Sequence, residues 1–375
     1  MSDNDTAWID LVAPRHLRGL DVYQPGKPVE ELEREYGVTG ALKVASNENP
    51  LGPAPRALAA AHAALASSHL YPDASGFALR TALGARLGVD PAQIILGGGS
   101  NELLYQLVTA FCDPDDEVVS HEYAFLSYRL AAQTAARPFV AARATADRRC
   151  DVDALIAAFT PRTKLVLLGT PNNPTGSVVT KAEMERIAAA LPARALLVID
   201  EAYGEYAAAW PEIDHARGAD WLHAPRVMVL RTFSKIYGLA GLRVGYGVGH
   251  PALIELAGRV GRTFNVSAVA QAAALAALDD TDHVAKSAAL ARSAIERLTR
   301  EVSGPGITVY PSLANFALIE TGRPGKPIYE ALLRRGVIVR PMAAWGLPTC
   351  IRVSVAAAEQ MDRVIAALRA VLGPT

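Results

Sequence analysis

The chain has 375 residues, 51% hydrophobic and 20% charged, enough apolar material for a large core and for two or three domains of about 100–200 residues. Thirty-seven lysines and arginines against thirty-eight aspartates and glutamates leave a formal charge of -1, so no overall basic face points to nucleic acid or an anionic membrane. The acidic start MSDNDTAWID lacks the basic and apolar parts of a secretory signal, and the alanine-rich run Ala268–Leu278 is shorter than the roughly 18 residues of a membrane span.

The first fifty residues carry Pro25-Gly26-Lys27-Pro28 and then SNENPLGP at Ser46–Pro53, and they read as an irregular arm. Helical patterns follow at 56–65 and 76–87. From there strand and helix patterns alternate. A short apolar run at 93–96 ends in Gly97-Gly98-Gly99-Ser100 and leads into a helix at 102–111, and a strand at 117–120 precedes a helix at 127–136. The buried strand 164–168 stops at TPNNPTG, and after a helix at 181–191 the strand 195–199 ends at Asp200-Glu201. Strands at 226–230 and 243–247 and a helix at 252–260 complete the series. Near-continuous apolar strands alternating with helices predict an α/β protein with a mostly parallel sheet covered on both faces. After a helix-rich stretch at 267–303, strands at 315–319 and 350–355 and helices at 327–335 and 358–372 read as a smaller α/β domain. The expected division is an arm over 1–50, a large domain over 51–280 and a small one over 281–375. Three scattered cysteines, Cys112, Cys150 and Cys350, form neither a disulfide framework nor a metal-ligand spacing, which suits the cytoplasm.

In open α/β sheets ligands bind beyond the carboxyl ends of the strands, and four unusual segments fall there. In GGGSNE (Gly97–Glu102) glycines allow close backbone approach and a helix N-terminus favours an anion. A phosphate on Gly99, Ser100 and Asn101 is one reading, a flexible turn the other; the dinucleotide pattern G-x-G-x-x-G is not met. TPNNPTG (Thr170–Gly176) compresses the chain into a rigid turn with its side chains held in place, with a plain connector as the alternative. Asp200 follows a buried strand and needs a partner, and a protonated pyridine nitrogen would serve, with Tyr203 in reach of the ring's phenolic oxygen. An isolated aspartate at such a place is more often a helix cap. Lys235, in Thr232-Phe233-Ser234-Lys235, stands where desolvation makes an amine nucleophilic, and Ser234 with Arg243 could hold a phosphate. A surface lysine beside a glycine-rich hinge is the plainer reading. Their joint occurrence decides. A phosphate cradle, an Asn-rich turn, a strand-end acid and a Ser-Lys with a distal Arg are the groups a phosphorylated pyridine aldehyde needs.

With LYPD (Leu70–Asp73), IDEAY (Ile199–Tyr203), TFSKIYGLAGLRVGY (Thr232–Tyr246) and IRVSV (Ile351–Val355), these segments resemble the fold-type I pyridoxal-phosphate aminotransferases over nearly the whole chain. YQPGKP and SNENPLGP extend the resemblance to the histidinol-phosphate aminotransferase family. It implies that Lys235 bears pyridoxal 5'-phosphate as a Schiff base and shuttles the proton, and that Asp200 pairs the pyridine nitrogen. Tyr203 and Asn173 would bond the phenolic oxygen, and Gly99, Ser100, Asn101, Ser234 and Arg243 the phosphate. Tyr71 would reach the cofactor phosphate of a second subunit, making a homodimer with a shared site. Phe125, or Tyr123 in its place, would stack on the ring. Arg352 would grip the substrate's anionic group, with Tyr23, Asn47 and Arg340 as further pocket candidates. The implied reaction moves an amino group from L-histidinol phosphate to 2-oxoglutarate. Two departures stand out: Gly98, where the family often has Asn, would loosen the phosphate turn, and Phe125, where many relatives carry Tyr, lacks a hydroxyl but keeps the stacking face. Alternatives are an aromatic amino-acid aminotransferase, a pyridoxal-phosphate decarboxylase, and a non-catalytic ligand-sensing domain. The last calls for an added DNA-binding module, with only about fifty residues ahead of the core to supply it.

Overall fold

The structure, a computed structural model, describes residues 8–20 and 26–373. Strands β1 (Leu42–Lys43), β2 (Ile94–Gly97), β3 (Glu117–His121), β4 (Phe139–Ala142), β5 (Thr163–Gly169), β6 (Leu196–Asp200), β7 (Val227–Thr232) and β8 (Gly245–Gly249) precede a long helical stretch. Strands β9 (Thr308–Val309), β10 (Phe316–Glu320), β11 (Val337–Ile338), β12 (Arg340–Pro341) and β13 (Cys350–Ser354) follow it.

Seven strands form the main sheet in the order β2-β8-β7-β6-β5-β3-β4. All run parallel except β8, which is antiparallel to both neighbours. Its central strands are apolar throughout 165–168, 196–199 and 227–230, because both faces are covered there. Val166, Leu168, Leu197, Ile199 and Val229 enter one core, while Leu165, Leu167, Val198, Met228 and Leu230 enter the other. Alternate residues of a strand point to opposite faces, so a strand between two helical layers can spare no polar position. Each fully buried leucine contributes about 1.5–3 kcal/mol.

The reversed strand matters for chemistry. Gly245, the first residue of β8, pairs with Gly97 at the end of β2 and with Thr232 at the end of β7. The approach to β8 therefore lies at the same sheet edge as the ends of β2, β3, β5, β6 and β7. All four chemistry-bearing segments meet there.

A second sheet, β12-β13-β10-β9, is antiparallel and sets Arg340 directly across from Arg352. Strand β1 pairs in parallel with β11, Leu42 opposite Val337, so the arm is tied to this later part of the chain. The arm is also less irregular than its sequence suggests, because Val29–Tyr36 is a helix. Pro28 sits ahead of its first turn, where a missing N–H costs nothing, and Gly37 ends it in the left-handed region at φ 65°. Strand β4 and the helix Val152–Ala157 also have no counterpart in the sequence reading; both are short, and half of β4's side chains remain half-buried. The strand expected from residue 243 begins at Gly245, because Arg243 adopts φ 55° and turns the chain first. Helix Ala358–Leu372 buries Met361, Val364, Ile365, Leu368 and Leu372 as its periodicity requires. Among the described residues no helix is long and apolar enough to cross a membrane, and no cluster of three or more His, Cys, Asp or Glu could hold a metal.

Candidate active site

The shared sheet edge opens into a cavity of about 370 Å³, closed on the far side by Ser46 and Asn47 of the arm and by Trp345 and Arg352 of the later segment. One end of it is built for a phosphate. Gly99 has φ 86° and caps the helix Ser100–Phe111, and a Cβ there would stand 2.6 Å from Arg243 Nη2. Only glycine satisfies both demands. Gly245 likewise lets the helix start lie against β8, since its Cβ would fall 2.6 Å from Ser100 N. Arg243 donates from Nη1 to Ser234 Oγ at 3.1 Å and from Nη2 to Gly98 O at 3.0 Å. A twelve-residue helix pointing its free N–H groups at a serine and a guanidinium is an anion site. Asn101 Oδ1 is buried beside it with no partner in the chain.

The opposite end suits a cationic ring nitrogen. Asp200, the last residue of β6, is buried; it accepts from Tyr128 Oη at 3.0 Å and from Ala202 N–H at 3.1 Å. Burial outweighs these bonds and pushes its carboxyl up to about 6. The charge of Lys235 offsets this only in part, and a protonated pyridine against the carboxylate would complete the balance. Tyr128 is itself held well above the usual tyrosine range by burial and by Asp200, so it remains a donor.

Between these ends Tyr203 Oη accepts from Asn47 Nδ2 at 2.9 Å and lies 3.5 Å from Asn173 Nδ2. Asn47 is fixed in turn by Ser354 Oγ, which donates to its Oδ1 at 2.7 Å. The side chain of Asn47 thus supports Tyr203 while also lining the cavity. Lys235 Nζ lies 3.4 Å from Ser46 O, 3.5 Å from Asn47 O and 5.6 Å from the Tyr203 ring centre. Arg352, buried, donates to Asn173 Oδ1 at 2.5 Å and to Ala45 O at 2.8 Å. The turn that carries Asn173 has cis peptides before Pro171 and Pro174, and Gly176 closes it against Ser312.

Phe125 lines the cavity, edge-on to Tyr128 at 5.8 Å between centroids. Tyr123 turns away, its ring under Arg148 at 5.7 Å. Gly99, Ser100, Asn101, Asn173, Asp200, Tyr203, Ser234, Lys235, Arg243 and Arg352 all come together in the wall. Arg340 does not: it is buried, with its guanidinium 5.3 Å from the Trp345 ring centre. Tyr71 also lies outside this cavity, 82% exposed and stacked on Phe264 at 4.6 Å. Tyr23 falls outside the described residues. Burial pushes the thiols of Cys112, Cys150 and Cys350 up to about 12, which keeps them out of nucleophilic chemistry at neutral pH.

The sequence did not single out the wall residues Tyr105, Ser127, Leu130, Trp345 and Tyr128. Tyr128 had a signal: it lies one helical turn after Phe125, and any buried acid needs a donor. Tyr128→Phe keeps the ring but strips Asp200 of its side-chain donor. A hydrogen bond to a charged group is worth about 1.5–3 kcal/mol, so activity at neutral pH should fall roughly 10- to 100-fold. Since that bond lowers the Asp200 pKa, the acidic limb of the pH–rate profile should also move to higher pH. An unmoved limb would reduce Tyr128 to packing.

A strand-end lysine, a buried carboxylate and an anion cradle around one cavity are the working parts of a pyridoxal-phosphate enzyme. The profile of the aminotransferase class I and II family matches residues 39–368, and the chain belongs to that family. Its relatives are narrower in kind. The chain is 47% identical over 367 residues to the histidinol-phosphate aminotransferase of Anaeromyxobacter sp., covering 96% of this chain and 99% of that one. It is 46% identical to histidinol-phosphate aminotransferase 1 of Nitrosococcus oceani, over 96% and 97% of the two chains. The crystal structure of histidinol-phosphate aminotransferase from Sinorhizobium meliloti in complex with pyridoxal-5'-phosphate superposes with a TM-score of 0.84 at 32% identity, over 96% of each chain. Pyridoxal 5'-phosphate is the cofactor, and the cavity fits it at both ends.

Proposed function

We propose that this protein transfers the amino group of L-histidinol phosphate to 2-oxoglutarate, giving imidazole acetol phosphate and L-glutamate, a step of histidine biosynthesis. The observation that carries this is end-to-end similarity: 44–47% identity over 95–98% of the chain to histidinol-phosphate aminotransferases of five bacteria.

When bound, pyridoxal phosphate supplies an electron sink for the bond pair released at the donor's α-carbon. The residues supply the rest. Gly99, Ser100, Asn101, Ser234 and Arg243 would hold its phosphate, Asp200 would keep its ring nitrogen protonated, and Phe125 would supply a stacking face. Tyr203, supported by Asn47, donates toward the phenolic oxygen. Lys235 Nζ takes the α-proton and delivers it back. Arg352 carries a planar fork that suits either a phosphate ester or the α-carboxylate of glutamate, so one residue serves both half-reactions. Because the keto product leaves before the acceptor enters, the kinetics are ping-pong.

The reading includes a homodimer in the cytoplasm. Tyr71 stacks on Phe264 with Leu70 beside it in sequence, all three exposed, an apolar group which a second copy would cover. Tyr71 would then complete the other copy's phosphate site.

A substrate panel tests the assignment. With 2-oxoglutarate as acceptor, kcat/KM for histidinol phosphate should exceed that for phenylalanine and tyrosine by at least ~100-fold, since those donors bring a carboxylate in place of the phosphate ester and a ring without the imidazole's hydrogen-bonding nitrogens. Equal or higher values for the aromatic amino acids would overturn it, and CO2 release in place of keto-acid formation would point to a decarboxylase.

A further inference from the structure

The middle glycine of the phosphate turn is held from two sides. Its N–H donates to Glu102 Oε2, and its carbonyl accepts from Arg243 Nη2 at 3.0 Å. Glu102 is fixed from a third segment, where Asn265 Nδ2 donates to the same oxygen at 2.9 Å and lies 3.4 Å from Leu96 O. A Cβ on residue 98 would sit 3.0 Å from Glu102 Oε2, so a side chain there and this clamp compete for space. The looseness expected of three successive glycines is removed by contacts from outside the turn.

A glutamate in the third position of a helix commonly reaches back to the N–H of the cap residue. Here the cap is Gly99, whose N–H already donates to Gly97 O at 2.7 Å, and Glu102 takes the Gly98 N–H instead. The N–H groups of Ser100 and Asn101, which helix geometry leaves unsatisfied, stay available to the cavity. A carboxylate beside a phosphate site also has the wrong charge for it. Its value there is as a fixed acceptor.

We propose that Glu102, braced by Asn265, is a positioning residue for the cofactor phosphate. Its oxygen sets the Gly98 peptide so that the carbonyl meets Arg243 and the next N–H groups face the anion. The experiment titrates apoprotein with pyridoxal phosphate, following the visible band, beside the melting temperature of each apoprotein. Glu102→Ala should raise the cofactor Kd about 10-fold, the loss of one such bond, and kcat at saturating cofactor should fall less than affinity does. Glu102→Gln keeps the acceptor and removes the like charge, so it should bind at least as tightly as the wild type. Asn265→Ala should fall between. The apoprotein melting temperature should not separate the Ala and Gln variants, although their Kd values do. Wild-type affinity in Glu102→Ala overturns the proposal. So does a Gln variant as weak as Ala, which would assign the effect to charge, or a pair separated by melting temperature and not by Kd.

Discussion

Lys235→Ala should lower transamination by at least ~10⁴-fold, because one substitution removes both the nucleophile and the proton carrier. The reasoning rests on position. Nζ lies beside the Tyr203 ring and the carbonyls of Ser46 and Asn47, inside the cavity, and no other lysine lines the wall. The substitution deletes no buried ion pair, so the fold should survive it. Cofactor should still bind through the phosphate cradle, yet borohydride should no longer fix it to the chain. Steady-state rates, mass spectrometry after reduction and a melting curve together check this. Undiminished turnover by a folded variant would sink the assignment of Lys235.

The second large effect concerns Asp200, and it works in opposite directions on activity and on stability. Asp200→Asn keeps shape and removes the charge that pairs the ring nitrogen, so kcat should drop by about 10²–10³-fold. In the empty protein the same carboxyl is a burden. Its pKa is raised by burial to about 6, above its ordinary value of 3.8. A raised carboxyl contributes most below its unfolded pKa, and that contribution is lost as pH rises through the folded one. Ionising Asp200 between pH 4 and 6 therefore costs the empty fold up to roughly 3 kcal/mol. The Asn variant avoids this, so its apoprotein should melt higher than the wild type at pH 7 and much the same at pH 4. Cofactor binding reverses the sign, since a pyridinium favours the ionised acid. Wild-type affinity should be full above pH 6 and weaken as pH falls below it, and Asp200→Asn should lack that share of the pH dependence. Calorimetry of apoprotein and cofactor titrations at matched pH measure both; parallel pH curves for the two proteins would refute the linkage.

Much of this site was legible from sequence because its parts sit at the ends of strands that read clearly. The runs 165–168, 196–199 and 227–230, which lead to Thr170, Asp200 and Thr232, are apolar at every position, which a two-sided sheet enforces. What did not read was conformation decided by partners far along the chain. Arg243 in the left-handed region carries no local signal, and it displaced the start of β8 by two residues from the expected place. Pro28 looked like a breaker but precedes the first turn of a helix. Asn47 was legible as a pocket residue and illegible as the support of Tyr203, because that role depends on Ser354. Arg340 pairs with Arg352 and so leaves the sheet on the same face, yet its guanidinium lies over the Trp345 ring and only the indole reaches the wall. Between Phe125 and Tyr123 sequence left the choice open, and the ring in the wall is Phe125.

The reversed strand β8 has one more consequence, which lies in sequence separation. Ser234 and Arg243, which face each other across the phosphate site, are nine residues apart on a single hairpin. The anchors of Arg352 reach back to Ala45, 307 residues away. Loop-closure entropy grows as the logarithm of length, so the distant contact carries roughly 3 kcal/mol more of it. The Ser234–Arg243 pair of the phosphate cradle is thus local, whereas the wall around Arg352 depends on both ends of the chain being in place. The cofactor end is local only in part, since the Arg243 guanidinium meets Gly98 O from 145 residues away.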